Sequence, residues 1–140
     1  MERVLGSTDM PIVCEQDVVL VRRRVRDLAE RHGFDVFATA AITTATSELT
    51  RNVWTHGGGG EVRIEELQRD DGHGLRLTFT DQGPGIADVE RALSGGYSSR
   101  RSLGLGRSGS QRLVDEFELK TQVDVGTTIT IAKWTRFSRR

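Results

Sequence analysis

A two-layer α+β sandwich is the architecture this 140-residue sequence predicts, with a mixed, mostly antiparallel sheet covered by helices on one face. Two segments carry apolar residues at helical spacing, and five short segments read as strands. Strands joined by tight turns can pair only antiparallel, which sets the character of the sheet.

Residues 1–9 read as a loose leader, and Met10–Cys14 as a short strand. Asp17 then caps an amphipathic helix with Val18, Val21, Val25, Leu28 and Ala29 on one face and arginines opposite, ended by Gly33. A second helix is expected from about Val36 to Thr55, with the stripe Ala38, Ile42, Ala45, Leu49 and Val53, stopped by Gly57-Gly58-Gly59-Gly60. Strands follow at about Glu61–Leu67 and Leu75–Thr80, around the turn-forming run Asp70–Gly74. A short helix near Ala87–Leu93 leads into a Gly/Ser/Arg loop over 94–106, and another helix covers about Ser108–Val114. Strands near Phe117–Val123 and Thr128–Trp134 close the chain around Asp124–Thr127. Neither a repeat nor a linker interrupts this order, so one domain over residues 1–140 is expected.

Composition narrows the function classes. The hydrophobic fraction of 36% suffices for one core, and 20 basic side chains cancel 20 acidic ones. Nothing global therefore points to nucleic acid or to a membrane surface. Local clusters remain, Arg22-Arg23-Arg24 and Arg100-Arg101 among them, which read as solvated surface or as docks for an acidic partner or phosphates. The single cysteine, Cys14, cannot close an internal disulfide and reads as a small core residue. With no apolar leader segment and no run near the ~20 apolar residues of a span, a cytoplasmic protein is expected.

Three short stretches carry chemistry. In Ser47-Glu48-Leu49-Thr50-Arg51-Asn52, Glu48 and Asn52 are one helical turn apart on one face, in line with Thr44 and at the edge of the apolar stripe. An amide oxygen there suits a hard cation such as Mg²⁺, and a carboxylate can accept a hydroxyl proton; a polar pair on a wet surface is the competing reading. In Leu75–Asp81 the apolar residues occupy the odd positions, so alternation aims Asp81 at the core-facing side. A carboxylate there needs a hydrogen-bond partner, such as a purine amino group, or its own backbone in a turn. Gly83 and Gly85 follow it and would let the backbone approach a flat base without Cβ atoms. In Gly104-Leu105-Gly106-Arg107-Ser108-Gly109 a glycine-rich loop precedes a helix, whose free N–H groups would face an anion. No Gly-Lys-Ser/Thr follows it, which excludes a Walker loop. Arg100, Arg101 and Arg107 are all candidates for a γ-phosphate contact.

The order of these stretches resembles the GHKL superfamily, and more narrowly the RsbT-type anti-sigma and stressosome switch serine kinases. Thr43–Asn52 is similar to the helical N-box of that superfamily, Asp81-x-Gly83-x-Gly85 and Gly104–Gly109 to its next two boxes, and Gly126-Thr127 to its last. The similarity spans roughly residues 11–136, through Gln111–Phe117 and the ending Ile131-Ala132-Lys133-Trp134. The resemblance implies a Bergerat ATP-binding fold that uses ATP and Mg²⁺ to phosphorylate a serine or threonine of a STAS-domain partner, with a sigma factor or serine phosphatase downstream. It implies Glu48 as catalytic base, Asn52 as Mg²⁺ ligand, and Asp81 as receiver of the adenine amino group. Gly83 and Gly85 would shape the base pocket, Gly104, Leu105, Gly106 and Arg101 the phosphate lid, and Thr127 would support the base. The alternative is a nucleotide-binding anti-sigma or adaptor protein that sequesters its partner without phosphotransfer.

Overall fold

A computed structural model describes residues 1–70, 72–81, 109–122 and 126–135. Helices α1 (Gln16–Arg31) and α2 (Val36–Thr55) follow strand β1 (Glu2–Ile12) and precede β2 (Gly60–Arg69), β3 (Gly72–Asp81), β4 (Glu116–Gln122) and β5 (Gly126–Trp134). The strands form one sheet in the order β1-β2-β3-β5-β4. Every pairing among the described residues is antiparallel, so the expected mixed sheet is realised through its antiparallel part alone. The reason lies in where β4 enters. It runs in the direction of β3, and β5 turns back to lie between the two, so β4 and β3 never meet as a parallel pair.

Both helices lie on one face of the sheet, and the core forms between them. Val21, Val25, Leu28 and Ala29 of α1, with Ile42, Ala45, Leu49 and Val53 of α2, pack on Val62, Ile64, Leu75, Leu77, Phe79, Ile129 and Ile131. These are the stripes that the spacing predicts, and α2 has the predicted limits. Asp35 starts α2 by accepting the Ala38 N–H at 2.7 Å. Thr46 and Thr50 are fully buried in α2, yet neither hydroxyl is lost to the core. They donate to Ile42 O at 2.6 Å and Thr46 O at 2.7 Å. His32 and His56 are the C-cap residues of α1 and α2; His32 also bonds Glu66 of β2 at 2.7 Å.

Two expectations at the N-terminus are corrected. The supposed leader over residues 1–9 forms most of β1, an edge strand paired with β2 from Glu2↔Arg69 to Ile12↔Gly60. Its main-chain ladder holds it there, with a register shift between Val4 and Gly6. Its side chains are too polar to show an apolar alternation. Glu2 instead meets Arg69 and Arg76, and Asp9 meets Arg63, as part of a charged lattice on the face opposite α1 and α2. Exposed pairs of this kind add little stability individually. The second correction concerns Asp17, which lies inside the first turn of α1, the N-cap being Glu15. Its carboxylate reaches back to the Val13 N–H at 2.8 Å, the Cys14 N–H at 3.2 Å and the half-buried Cys14 thiol at 3.5 Å.

The Val13 N–H, helped by the N–H and thiol of Cys14, holds the Asp17 carboxyl below the usual carboxylate range, although burial pushes the other way. A depressed folded-state value contributes stability that is complete above the unfolded value, about 3.9, and is lost as the pH falls through the folded one. Asp17→Asn should therefore lower the urea midpoint by a constant amount above about pH 5. That gap should close on acidification below about pH 4. A gap independent of pH would show that the ionised carboxylate contributes nothing.

Candidate active site

The site is built at the end of the sheet where β3 runs out. Along β3 the helix-facing residues are Leu75, Leu77, Phe79 and then Asp81, so the last place in an apolar row is taken by a carboxylate only 6% exposed. This is the orientation that strand alternation predicts. Register then supplies its neighbours. Gly60 lies opposite Asp81 on β2, Thr127 opposite it on β5, and Thr121 opposite Thr127 on β4. Thr127 is buried, and its hydroxyl lies 3.0 Å from that of Thr121. The preceding Gly126 has φ +146°, a conformation that an L side chain rarely adopts.

The glycine run after α2 fits over this row. Gly57 N–H donates to Asn52 O and Val53 O, and Gly59 N–H to Val53 O, closing the helix with Gly58 and Gly59 at positive φ. A Cβ on Gly57 would stand 2.5 Å from Cβ and Cγ of Asp81, and one on Gly60 would run into the carbonyl of Thr80. The sequence marks these glycines only as a helix stop. Their second role, leaving room for the Asp81 side chain and the end of β3, was missed, and an isolated glycine run carries no signal for it.

Five residues before Gly57, Asn52 is 2% exposed, and its Nδ2 has no hydrogen-bond partner among the described residues. Glu48, one turn earlier, is half-buried, and Thr44 is exposed. The polar line on α2 thus descends from solvent to a buried amide, at the edge of the apolar stripe as its spacing predicts. Ser110, in a helical turn over 109–113, is the other described residue with a buried side-chain polar atom lacking a partner. Of the sequence candidates, Glu48 and Asn52 share one face of α2, and Asp81 and Thr127 share one cross-strand row. Gly83, Gly85, Arg101, Gly104, Leu105 and Gly106 lie outside the described residues, as do Arg100, Arg107 and the expected helix near Ala87–Leu93.

Residues 14–133 match the family model described as "Histidine kinase-like ATPase domain". The chain belongs to the histidine kinase-like ATPases. Within that family it is of RsbT type. It is 40% identical over 125 residues to the Serine/threonine-protein kinase RsbT of Bacillus subtilis (strain 168), covering 89% of this chain and 94% of the relative. It is 31% identical over 97 residues to an Anti-sigma F factor of Heyndrickxia coagulans, covering 64% of this chain and 65% of that one. Among solved structures, the RsbU and RsbW domains of Rv1364c from Mycobacterium tuberculosis superpose with a TM-score of 0.66 at 20% identity. That match covers 96% of this chain and 34% of the larger one. The SiaB-SiaC complex from Pseudomonas aeruginosa matches with a TM-score of 0.55 at 13% identity, over 94% of this chain and 91% of the other. These two show the fold.

A histidine kinase-like ATPase domain uses ATP, and the residues of this chain fit such a ligand. The buried Asn52 amide has a donor left over for a phosphate oxygen, and the row ending in Asp81 offers an acceptor beside glycines that keep Cβ atoms away. The buried carboxylate and the crowded glycine also generate a test. Gly57→Ala must displace Asp81 or the α2 C-terminus, costing about 1–3 kcal/mol as an overpacked contact does. Urea denaturation measures this loss; a variant as stable as the parent would show that the two segments are not in close contact.

Proposed function

We propose that this chain is an ATP-dependent protein serine/threonine kinase of a partner-switching module. It transfers the γ-phosphate of ATP to a serine or threonine of a STAS-domain antagonist or scaffold, and so governs a sigma factor or a downstream serine phosphatase. The observation that carries this reading is the line on α2: a half-buried carboxylate one turn from a buried amide with an unused donor, on the helix whose closing Gly57 packs against Asp81. The similarity to a serine/threonine-protein kinase over 94% of that relative's length supports it.

Bound Mg²⁺, held on the protein side by Asn52, would supply charge neutralisation for the phosphates. Glu48 aligns the partner's hydroxyl and takes its proton. Its half-exposed position, which a macromolecular substrate can reach from solvent, supports that reading. Asp81 accepts the adenine amino group, Thr127 supports the base from the next strand, and Gly57 and Gly60 leave the space in which the carboxylate sits. Gly83, Gly85, Gly104, Leu105, Gly106 and Arg101 are proposed for the base pocket and the phosphate cover, on sequence grounds alone. Most of the acceleration then comes from positioning and electrostatics.

The relatives named anti-sigma F factors favour a second reading, in which nucleotide binding serves partner sequestration alone. One assay separates the two. With radiolabelled ATP and STAS proteins of the same genome, the parent chain should label one of them. Glu48→Ala should slow that transfer by at least about 100-fold. Its affinity for ATP, followed by calorimetry, should stay within about threefold of the parent, since Glu48 acts on the hydroxyl and leaves nucleotide binding to other groups. Normal transfer by the variant would remove Glu48 as the base. Nucleotide binding by the parent with no transfer to any STAS protein would favour the adaptor.

A further inference from the structure

The outward faces of the two helices differ in kind. In α1, 8 of the 16 residues are charged. In α2 the 12 residues from Val36 to Ser47 carry no charge, and Glu48 and Arg51 are the only charged side chains of the helix. Its first turn exposes Val36 and Phe37, at 79% and 84%, the most exposed large apolar side chains described after Met1. Single exposed apolar residues are ordinary. Phe37, however, also lines a cavity of about 720 Å³ between the start of α2, the entry to β4 and the end of β5, together with Asp35, Ala38, Asp115, Lys133 and Trp134. Helical geometry ties this end to the site. Glu48 lies 11 residues beyond Phe37, which places it within about 20° of the same face and about 16 Å further along the axis. The exposed Thr44 stands between them. Arg51 follows one turn after Glu48 and is exposed. Among the described residues its guanidinium has neither an ion pair nor a hydrogen bond, although i, i+3 spacing would let it pair with Glu48.

We propose that this face of α2 is the docking surface for the protein substrate: Phe37 and the recess beside it receive an apolar side chain of the partner, and Arg51 pairs with an acidic side chain near the target hydroxyl, with Glu48 between them. The inference rests on the kinase reading of Glu48 given above. A protein that delivers a hydroxyl to Glu48 has to cover the helix face around it. A standard interface takes about 800 Å² from each partner, a patch about 30 Å across. That spans the distance from Phe37 to Arg51, about 21 Å along the helix. The uncharged residues between them cost little to desolvate, whereas a charged face such as that of α1 would cost more. Charge complementarity then sets the partner's chemistry. Arg51 is the one cation of the face, and its planar fork of donors matches a carboxylate. Aromatic and arginine side chains are also the residues on which binding energy concentrates.

The experiment measures steady-state phosphorylation, by the full chain, of the STAS protein that it labels with radiolabelled ATP. Phe37→Ser and Arg51→Glu should each raise KM for that protein about tenfold, the scale of one interface anchor. Affinity for ATP, followed by calorimetry, should stay within about threefold of the parent in both, because neither side chain is assigned to the nucleotide. Arg51→Lys, which keeps the charge, should recover part of the loss. Both positions are exposed, and thermal melting checks that the variants fold; Phe37→Ala gives the same reading should the serine variant fail to fold. Damage to the helix itself would lower the melting temperature and weaken ATP binding together, and a KM raised only in that company counts against docking. A KM within about twofold of the parent in either Phe37→Ser or Arg51→Glu overturns the proposal and leaves the kinase reading standing. If the parent chain labels no STAS protein, the kinase reading falls and takes this inference with it.

Discussion

A carboxylate at the end of an apolar row is the constraint around which this structure is arranged. Asp81 follows Phe79 on the helix-facing side of β3, where desolvation penalises its charge unless hydrogen-bond donors are supplied. The antiparallel register fixes what surrounds it. Thr127 and Thr121 fall in its row on one side and Gly60 on the other, while Gly57 comes down from the end of α2. Thr127, Thr121 and Gly60 cannot move independently, because each is set by a ladder whose other rows form the core.

The layer formed by α1 and α2 explains why the site lies at this end of the sheet. Helix α2 crosses the core with its apolar stripe down, so its polar line sinks from the exposed Thr44 to the buried Asn52 as it nears its C-terminus. The glycine run then turns the chain directly into β2, beside the end of β3. A buried amide near the end of α2 and a buried carboxylate at the end of β3 thereby come beside one short helix-to-strand connection. The opposite face of the sheet is built differently. There Glu2, Arg69, Arg76 and Glu65 interlock across β1, β2 and β3, and Arg69 stacks 3.9 Å from the ring of Trp134. That lattice is largely half-buried and leaves the helix-facing side to the core and to the site.

Much of this was legible in the residues themselves. The limits of α2, the stripes of both helices and the inward aim of Asp81 follow from periodicity, because side-chain direction in a helix or strand is a local property of the backbone. The line Thr44, Glu48, Asn52 follows in the same way. The edge strand β1 was not legible, since residues such as Glu2, Arg3, Ser7 and Asp9 show no apolar alternation, and its strand character comes from the β2 ladder. Asp17 looked like a cap because it stands before an apolar-periodic run. The cap is Glu15, two residues earlier, and the Asp17 carboxylate accepts from the N–H groups of Val13 and Cys14.

By itself, then, the sequence determined the two-layer class, both helical faces, and which polar side chains stand at the margin of the core, for each of these depends on residues a few positions apart. Tertiary structure alone decided that Asp81, Thr127 and Thr121 share a row, that Gly57 and Gly60 must lack side chains, and that the Asn52 amide is sealed from water. Those facts depend on strand order and register between segments as many as 46 residues apart, from Asp81 to Thr127. Pairing at such separations is settled by the packing of the whole core, and no local spacing encodes it.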